Sequence, residues 1–391
     1  MKRFILFNSL NDDIIISEVL SYLEEDNYDK HQYILNRLLE KALDLPIDGD
    51  LFKMYLCYLV RQDENLFTIK SEKVGNEIDK NLFNIALNDI RVIKRLFDIS
   101  EEFCTLNDNK ISDNDPIFNI FKYNEDINTI GNLLVDFYYK NGAGIMNYYK
   151  GFKWDKNKGL IGIENCDPIT FDELIGNEMQ LKILINNTES FINGELCNNV
   201  LLFGDSGTGK SSSVKAILNK YYNKKLRVIE LNKKDFMDLN NILSLIKHRG
   251  LKFILFLDDL SFEEFEYEYK NMKALIEGGL EVRPKNVLIY ATSNRKNLIR
   301  EGFNDRQGDE IHARETVEEK HSLAERFGVT LTFSVGNQND YLNTVYKLAE
   351  IYNINLPKET LKREAIKWAA LSSGRSNRVA KQFIMPVNSL V

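Results

Sequence analysis

The chain has 391 residues, 43% hydrophobic and 28% charged, which suits two or three soluble domains with a large core. No apolar run approaches the ~20 residues of a membrane span. Four scattered cysteines without a Cys-x-x-Cys pair, beside four histidines, argue against a disulfide framework or a structural zinc site. The net charge of −7 is uneven: residues 1–150 carry 26 acidic and 17 basic side chains, which argues against a general nucleic-acid grip there.

The opening MKRFILFNSLNDD is basic and then apolar. Asn8, Asn11, Asp12 and Asp13 interrupt it before a signal-peptide core forms, so the expected location is cytoplasmic, with no membrane partner. Residues 1–140 are expected to form an all-α amino-terminal domain. Apolar residues recur at helical spacing over Ile14–Leu23, Tyr33–Leu43, Leu51–Val60, Ile85–Phe97 and Ile127–Tyr139. The aromatic residues Tyr22, Tyr28, Tyr33, Tyr55, Tyr58 and Phe67 fit that spacing and read as core rather than as a ligand surface. Residues 141–170 hold five glycines around the basic stretch Lys150–Lys158. They read as a linker with a solvated charge run rather than as a nucleic-acid contact.

Next, the apolar run Val200–Phe203 leads into Gly204-Asp205-Ser206-Gly207-Thr208-Gly209-Lys210-Ser211, and a helix-like run follows from Ser212. That order of strand, loop and helix is what a Gly-x-x-x-x-Gly-Lys-Ser/Thr phosphate loop requires. The glycines turn successive N–H groups toward one anion, and the helix N-terminus adds partial positive charge. Lys210 is placed to reach the β- and γ-phosphates, and the Ser211 hydroxyl to ligate magnesium. The expected ligands are therefore ATP or ADP and Mg2+.

Strands are expected at Leu226–Leu231, Lys252–Leu260, Asn286–Thr292 and Val329–Phe333. Helices are expected between and after them at Leu239–Lys247, Glu268–Glu277, Thr316–Arg326 and Tyr341–Tyr352. With Val200–Phe203 this makes a parallel five-stranded α/β sheet over residues 171–336, with helices on both faces. Lys358–Ala370 and Arg378–Ile384 then form a helical lid within residues 337–391.

Asp258 and Asp259 end the apolar strand at the edge where open α/β sheets bind ligands. Asp258 is placed to hold Mg2+ through water beside Ser211, and Asp259 to polarise the attacking water. His312, with Glu315, Glu318 and Glu319, reads as a solvated helix start rather than a metal cluster.

Several further motifs resemble those of AAA+ ATPases. Ile175-Gly176, ahead of the phosphate loop, resembles the pair that packs on the adenine. Asn294 in Ala291-Thr-Ser-Asn294-Arg295 resembles the first sensor. Arg326 in Leu323-Ala-Glu-Arg-Phe-Gly328 resembles the arginine finger, in a pattern similar to that of Holliday-junction branch-migration motors. Arg378 in Ser376-Asn-Arg-Val-Ala resembles the second sensor, with Arg375 as the competing position. Asp-Asp at 258 and 259 departs from the commoner Asp-Glu of AAA+ proteins, although some AAA+ groups that load or initiate replication do carry Asp-Asp. The segment 232–238 lacks the aromatic-apolar-Gly tripeptide of threading motors.

From about Phe171 to Phe383 the chain resembles one bacterial family of AAA+-like ATP-binding proteins, domain of unknown function 815. The likeness rests on Asp258-Asp-Leu-Ser-Phe-Glu-Glu264, Glu277-Gly-Gly-Leu-Glu281 with Arg283-Pro284, and Asn286–Arg295, joined by Glu310-Ile-His312 and Val317-Glu-Glu-Lys320. It implies ATP binding and hydrolysis; the expected function couples this to an unidentified protein client, and the arginine-finger resemblance of Arg326 implies a homo-oligomeric ring. A nucleotide-gated binding protein with little turnover, and a DNA-associated loader, are the alternatives.

Overall fold

The computed structural model describes residues 4–25, 28–45, 47, 49–99, 105–106, 115–260, 276, 283–294, 326–372 and 374–386. The chain divides into two compact units, Met1–Tyr149 with Arg249–Leu251, and Lys150–His248 with Lys252–Val391.

The first unit is helical. It comprises α1 (Ser9–Asp12), α2 (Ile14–Glu25), α3 (Tyr28–Asp44), α4 (Leu51–Gln62), α5 (Leu66–Val74), α6 (Lys80–Ile99), α7 (Pro116–Lys122) and α8 (Ile127–Asn141). A two-residue antiparallel pair, β1 (Gly49–Asp50) and β2 (Thr105–Leu106), adds to them. Asp50, Asn65, Asp115 and Asp126 start α4, α5, α7 and α8 by accepting first-turn N–H groups. Phe67 meets Tyr138 edge-on in the core, with ring centroids 6.3 Å apart. Tyr55 and Phe67 are buried and Tyr22 and Tyr58 pack against the core, as the spacing predicts, whereas Tyr33 is exposed. The side chain of Tyr28 lies outside the description. The buried Asp89 carboxylate accepts the N–H groups of Ile5, Leu6 and Phe7 at 2.7–3.0 Å and fixes the segment before α1.

Among the described residues the second unit has seven strands: β3 (Gly151–Asp155), β4 (Gly159–Gly162), β5 (Val200–Gly204), β6 (Leu226–Leu231), β7 (Lys252–Leu257), β8 (Val287–Ser293) and β9 (Val329–Phe333). Their order is β4-β3-β6-β7-β8-β5-β9, and every neighbouring pair is parallel except β3 with β4. The five parallel strands expected from the sequence run from β6 to β9. Val200, Leu201 and Leu202 of β5 are fully buried, as a strand covered on both faces requires.

Residues 151–162, read from sequence as part of a linker, form a hairpin that extends this sheet. Phe152 is fully buried, and Gly151 sits where a Cβ would come within 2.9 Å of Cys166 Sγ. The Asp155 carboxylate accepts the N–H groups of Asn157 and Lys158, both at 2.9 Å, and closes the turn. Glycine and lysine suggested a flexible connection, but the alternation of Phe152 and Trp154 with exposed Lys153 is that of a strand, here paired on both sides by β4 and β6.

Helices α9 (Glu178–Asn193), α10 (Lys210–Tyr221) and α11 (Leu239–Ile246) accompany the sheet, and α12 (Gln338–Ile351), α13 (Lys358–Leu371) and α14 (Asn377–Ile384) form the lid. The lid buries its own cluster, with Tyr341, Val345, Leu361 and Phe383. The parallel α/β sheet with a helical lid at its carboxyl-terminal end is the architecture expected from the sequence. The expected helices Glu268–Glu277 and Thr316–Arg326 fall, but for Ile276 and Arg326, outside the described residues, as does the group around His312. No described helix is long and apolar enough to cross a membrane.

Candidate functional site

Strand β5 ends at Gly204, whose φ of +131° favours glycine and whose Cβ, if present, would collide with the carbonyl of Phe333 on β9. The next residue is held to the same segment twice. The Asp205 N–H donates to Phe333 O at 3.1 Å, and its carboxylate accepts the Val335 N–H at 3.1 Å. The Thr208 hydroxyl donates to Asp205 O at 2.8 Å and tightens the loop. Lys210 then opens α10 and is 7% exposed. Its ammonium donates to Gly204 O and Asp205 O, both at 2.7 Å, and to Asn294 Oδ1 at 3.1 Å. Burial pushes the Lys210 ammonium below the usual lysine range, against the opposing pull of Asp205, Asp259 and Asp258.

The parallel register sets Leu257 beside Ala291, so the residues just past β7 and those ending β8 share one sheet edge. There Asp258 Oδ1 accepts from the Ser211 and Thr292 hydroxyls, both at 2.6 Å. Asp259 takes a left-handed backbone, φ +52°, and its N–H donates to Thr292 Oγ1 at 2.9 Å. The Asn294 amide donates to Asp259 Oδ1 at 2.8 Å, so Asn294 bridges Lys210 and Asp259.

The lid meets the loop directly. The Arg378 N–H, at the start of α14, donates to Gly207 O at 3.1 Å. A Cβ on Gly207, φ +76°, would come within 2.7 Å of Ser376 Oγ. Between loop and lid lies a cavity of about 700 Å³. Its lining combines the polar Lys210, Ser211, Asp258, Asp259, Asn294 and Arg378 with the apolar Ile169, Leu174, Leu348 and Met385.

Of the residues expected from sequence, Ser206, Gly207, Gly209 and Ser212 also face this cavity. Gly204, Asp205 and Thr208 shape the loop without lining it. Ile175 is buried in the lid cluster instead, while Gly176, φ +83°, has open space around its Cα. Arg378 lines the cavity and Arg375 does not. Arg326 lies three residues before β9, at the amino edge of the sheet and away from the cavity. Sequence reading missed Thr292, Glu173 and Lys381, which all line the cavity. A hydroxyl closing an apolar strand, and a lysine one helical turn beyond Arg378, were the available signals.

No curated protein sequence matches the chain. Among solved structures it is similar to the Thermotoga maritima RuvB Holliday junction branch migration motor, at 18% identity and a TM-score of 0.40, over 56% of this chain and 64% of that one. It is also similar to a DNA replication initiation factor, at 18% identity and a TM-score of 0.37, over 56% of this chain and 64% of that one. The chain thus spans less than two thirds of the length of either. Residues 147–390 match the model of a family described as protein of unknown function DUF815, and with more than half its length matched the chain belongs to that family.

Proposed function

We propose that the protein binds ATP with Mg2+ between its phosphate loop and lid and hydrolyses it, coupling turnover to a protein client. The convergence of Lys210, Ser211, Asp258, Asp259 and Asn294 on one cavity carries this reading. The loop N–H groups, the N-terminus of α10 and Lys210 would take the phosphates. The Ser211 hydroxyl and Asp258 carboxylate are hard oxygen donors that already meet, a set that suits a magnesium ion sharing its shell with phosphates and water. Held by Ser211 and Asp258, Mg2+ would supply charge neutralisation to the phosphates. Asp259 would accept a proton from the attacking water, Asn294 would orient that water, and Arg378 would bring charge from the lid. Arg326, which does not line this cavity, would serve a neighbouring subunit's site rather than its own.

Lys210→Ala should abolish nucleotide binding, while Asp259→Asn should keep binding and stop phosphate release. Turnover that survives both changes would refute the reading. One observation favours a slower, switch-like protein: the Asp259 carboxylate is occupied by the Asn294 amide. A steady-state phosphate-release assay separates a motor from such a nucleotide-gated binder. The basic run Lys150–Lys158 gives a DNA-associated loader its support, and DNA binding that weakens with salt would test it.

A further inference from the structure

Residues 167–177 form a strap that touches both the core and the lid. At its start, the Asn219 amide of α10 donates to the carbonyls of Asp167 and Ile169, both at 2.8 Å. At its end, Glu173 and Ile175 engage the lid, while Leu174 between them packs on the core. Glu173 Oε2 accepts from Lys381 Nζ of α14 at 2.8 Å and from the hydroxyl of Tyr352, just past α12, at 2.7 Å. Leu174 lines the cavity, and Ile175 is buried in the lid cluster while its carbonyl accepts from the Asn377 amide at 2.8 Å. The Thr170 N–H donates to the other Glu173 oxygen at 3.3 Å, so the carboxylate is fixed to its own strap. The Glu173 and Lys381 side chains are only 15% and 31% exposed, and both line the cavity.

We propose that Glu173 is a positioning residue that latches the lid over the cavity and sets how fast a bound nucleotide leaves. The core end of the strap is held behind the phosphate loop, on the helix that loop begins. Lifting the lid away therefore breaks both bonds to Glu173, from α14 and from the end of α12, or pulls the strap off α10. The carboxylate joins two lid helices at one point, so its loss frees both together. The release-rate part rests on reading the cavity as a nucleotide site; the latch itself does not.

The test uses the full chain and two measurements. Hydrogen exchange of the α14 amides is followed without nucleotide, and stopped-flow release is followed with a fluorescent ATP analogue. Glu173→Lys and Lys381→Glu should each speed α14 exchange and release roughly tenfold, the usual scale for stranding one member of a shielded charge pair. The double variant, which restores an opposite-charge pair, should return to within about twofold of the parent, and Tyr352→Phe should act more weakly than either. Unchanged α14 exchange in Glu173→Lys would overturn the latch, as would a double variant as fast as its singles. A uniform rise in exchange across every element would also overturn it, by assigning Glu173 to general stability. Should the parent bind no nucleotide, the cavity reading falls while the exchange arm still decides the latch.

Discussion

Ser211 and Asp258 lie on different elements, 47 positions apart, and meet through a 2.6 Å hydrogen bond from hydroxyl to carboxylate. Ser211 sits in the first turn of α10 and Asp258 directly follows β7, with β8 between β5 and β7 in the sheet. Thr292 of β8 donates to the same Asp258 oxygen, so three elements converge on one atom. That oxygen set is the basis for placing Mg2+ here.

Asp258→Asn should remove the Mg2+-dependent part of nucleotide affinity, about 10–100-fold, as loss of a residue that acts on a metal through water does. Calorimetric titration with ATP, in Mg2+ and in chelator, checks this. Equal loss in both buffers would place Asp258 on the nucleotide or in the fold instead.

Asn294 holds Lys210 with its amide oxygen and Asp259 with its amide nitrogen. Asn294→Ala should lower turnover by about 10²–10³, the scale for removing one aimed polar group at the reacting centre. Nucleotide affinity should change far less. Single-turnover phosphate release beside equilibrium binding distinguishes the two effects.

Gly204 and Gly194 both have positive φ, but only Gly204 faces backbone at close range. Gly194→Ala should cost about 1 kcal/mol, from backbone strain alone. Gly204→Ala should cost more than about 3 kcal/mol, because Phe333 is held by the sheet and has no room to yield. Urea denaturation of both variants tests the difference.

The latch should depend on pH in a defined direction. Burial pushes the Glu173 carboxyl up, but bonds from Lys381, Tyr352 and the Thr170 N–H outweigh it and hold it below the usual carboxylate range. Burial likewise lowers Lys381, and the bond to Glu173 more than offsets it, leaving that ammonium above the usual lysine range. Tyr352, the remaining titratable group facing Glu173, is pushed up by burial and by that carboxylate. A depressed acid stabilises above its unfolded value and loses the effect as pH falls through its folded one. A raised base stabilises below its unfolded value and loses the effect as pH rises through its folded one. Opening of α14, read as exchange relative to the intrinsic amide rate at each pH, should therefore be smallest between about pH 5 and 10 and rise on either side. In Glu173→Gln the rise on the acid side should vanish.

The phosphate loop was legible because its chemistry is local: glycines, lysine and serine at fixed spacing form one strand-to-helix turn. The same holds for Asp258 and Asp259, set at a strand end by the apolar run before them. The hairpin at 151–162 was not legible, because Gly151 and Gly159 mark flexibility in composition but mark tight packing and a turn in the sheet. Ile175 shows the opposite limit. Its place beside Gly176 resembled an adenine-packing pair, yet an isoleucine's burial depends on which apolar surface closes over it, and here that is the lid.

What the sequence alone determined is how phosphate would be held, since backbone N–H groups, a lysine and a hydroxyl within eight consecutive residues need no distant partner to define their geometry. The tertiary structure decided what gathers around them. Thr292 joins Asp258 because parallel register sets β7 beside β8, and Asn294 reaches both Lys210 and Asp259 because β8 lies between β5 and β7. Glu173 finds Lys381, 208 positions away, only once the lid has folded back over the strap. Such contacts follow from strand order and packing, which local spacing does not encode.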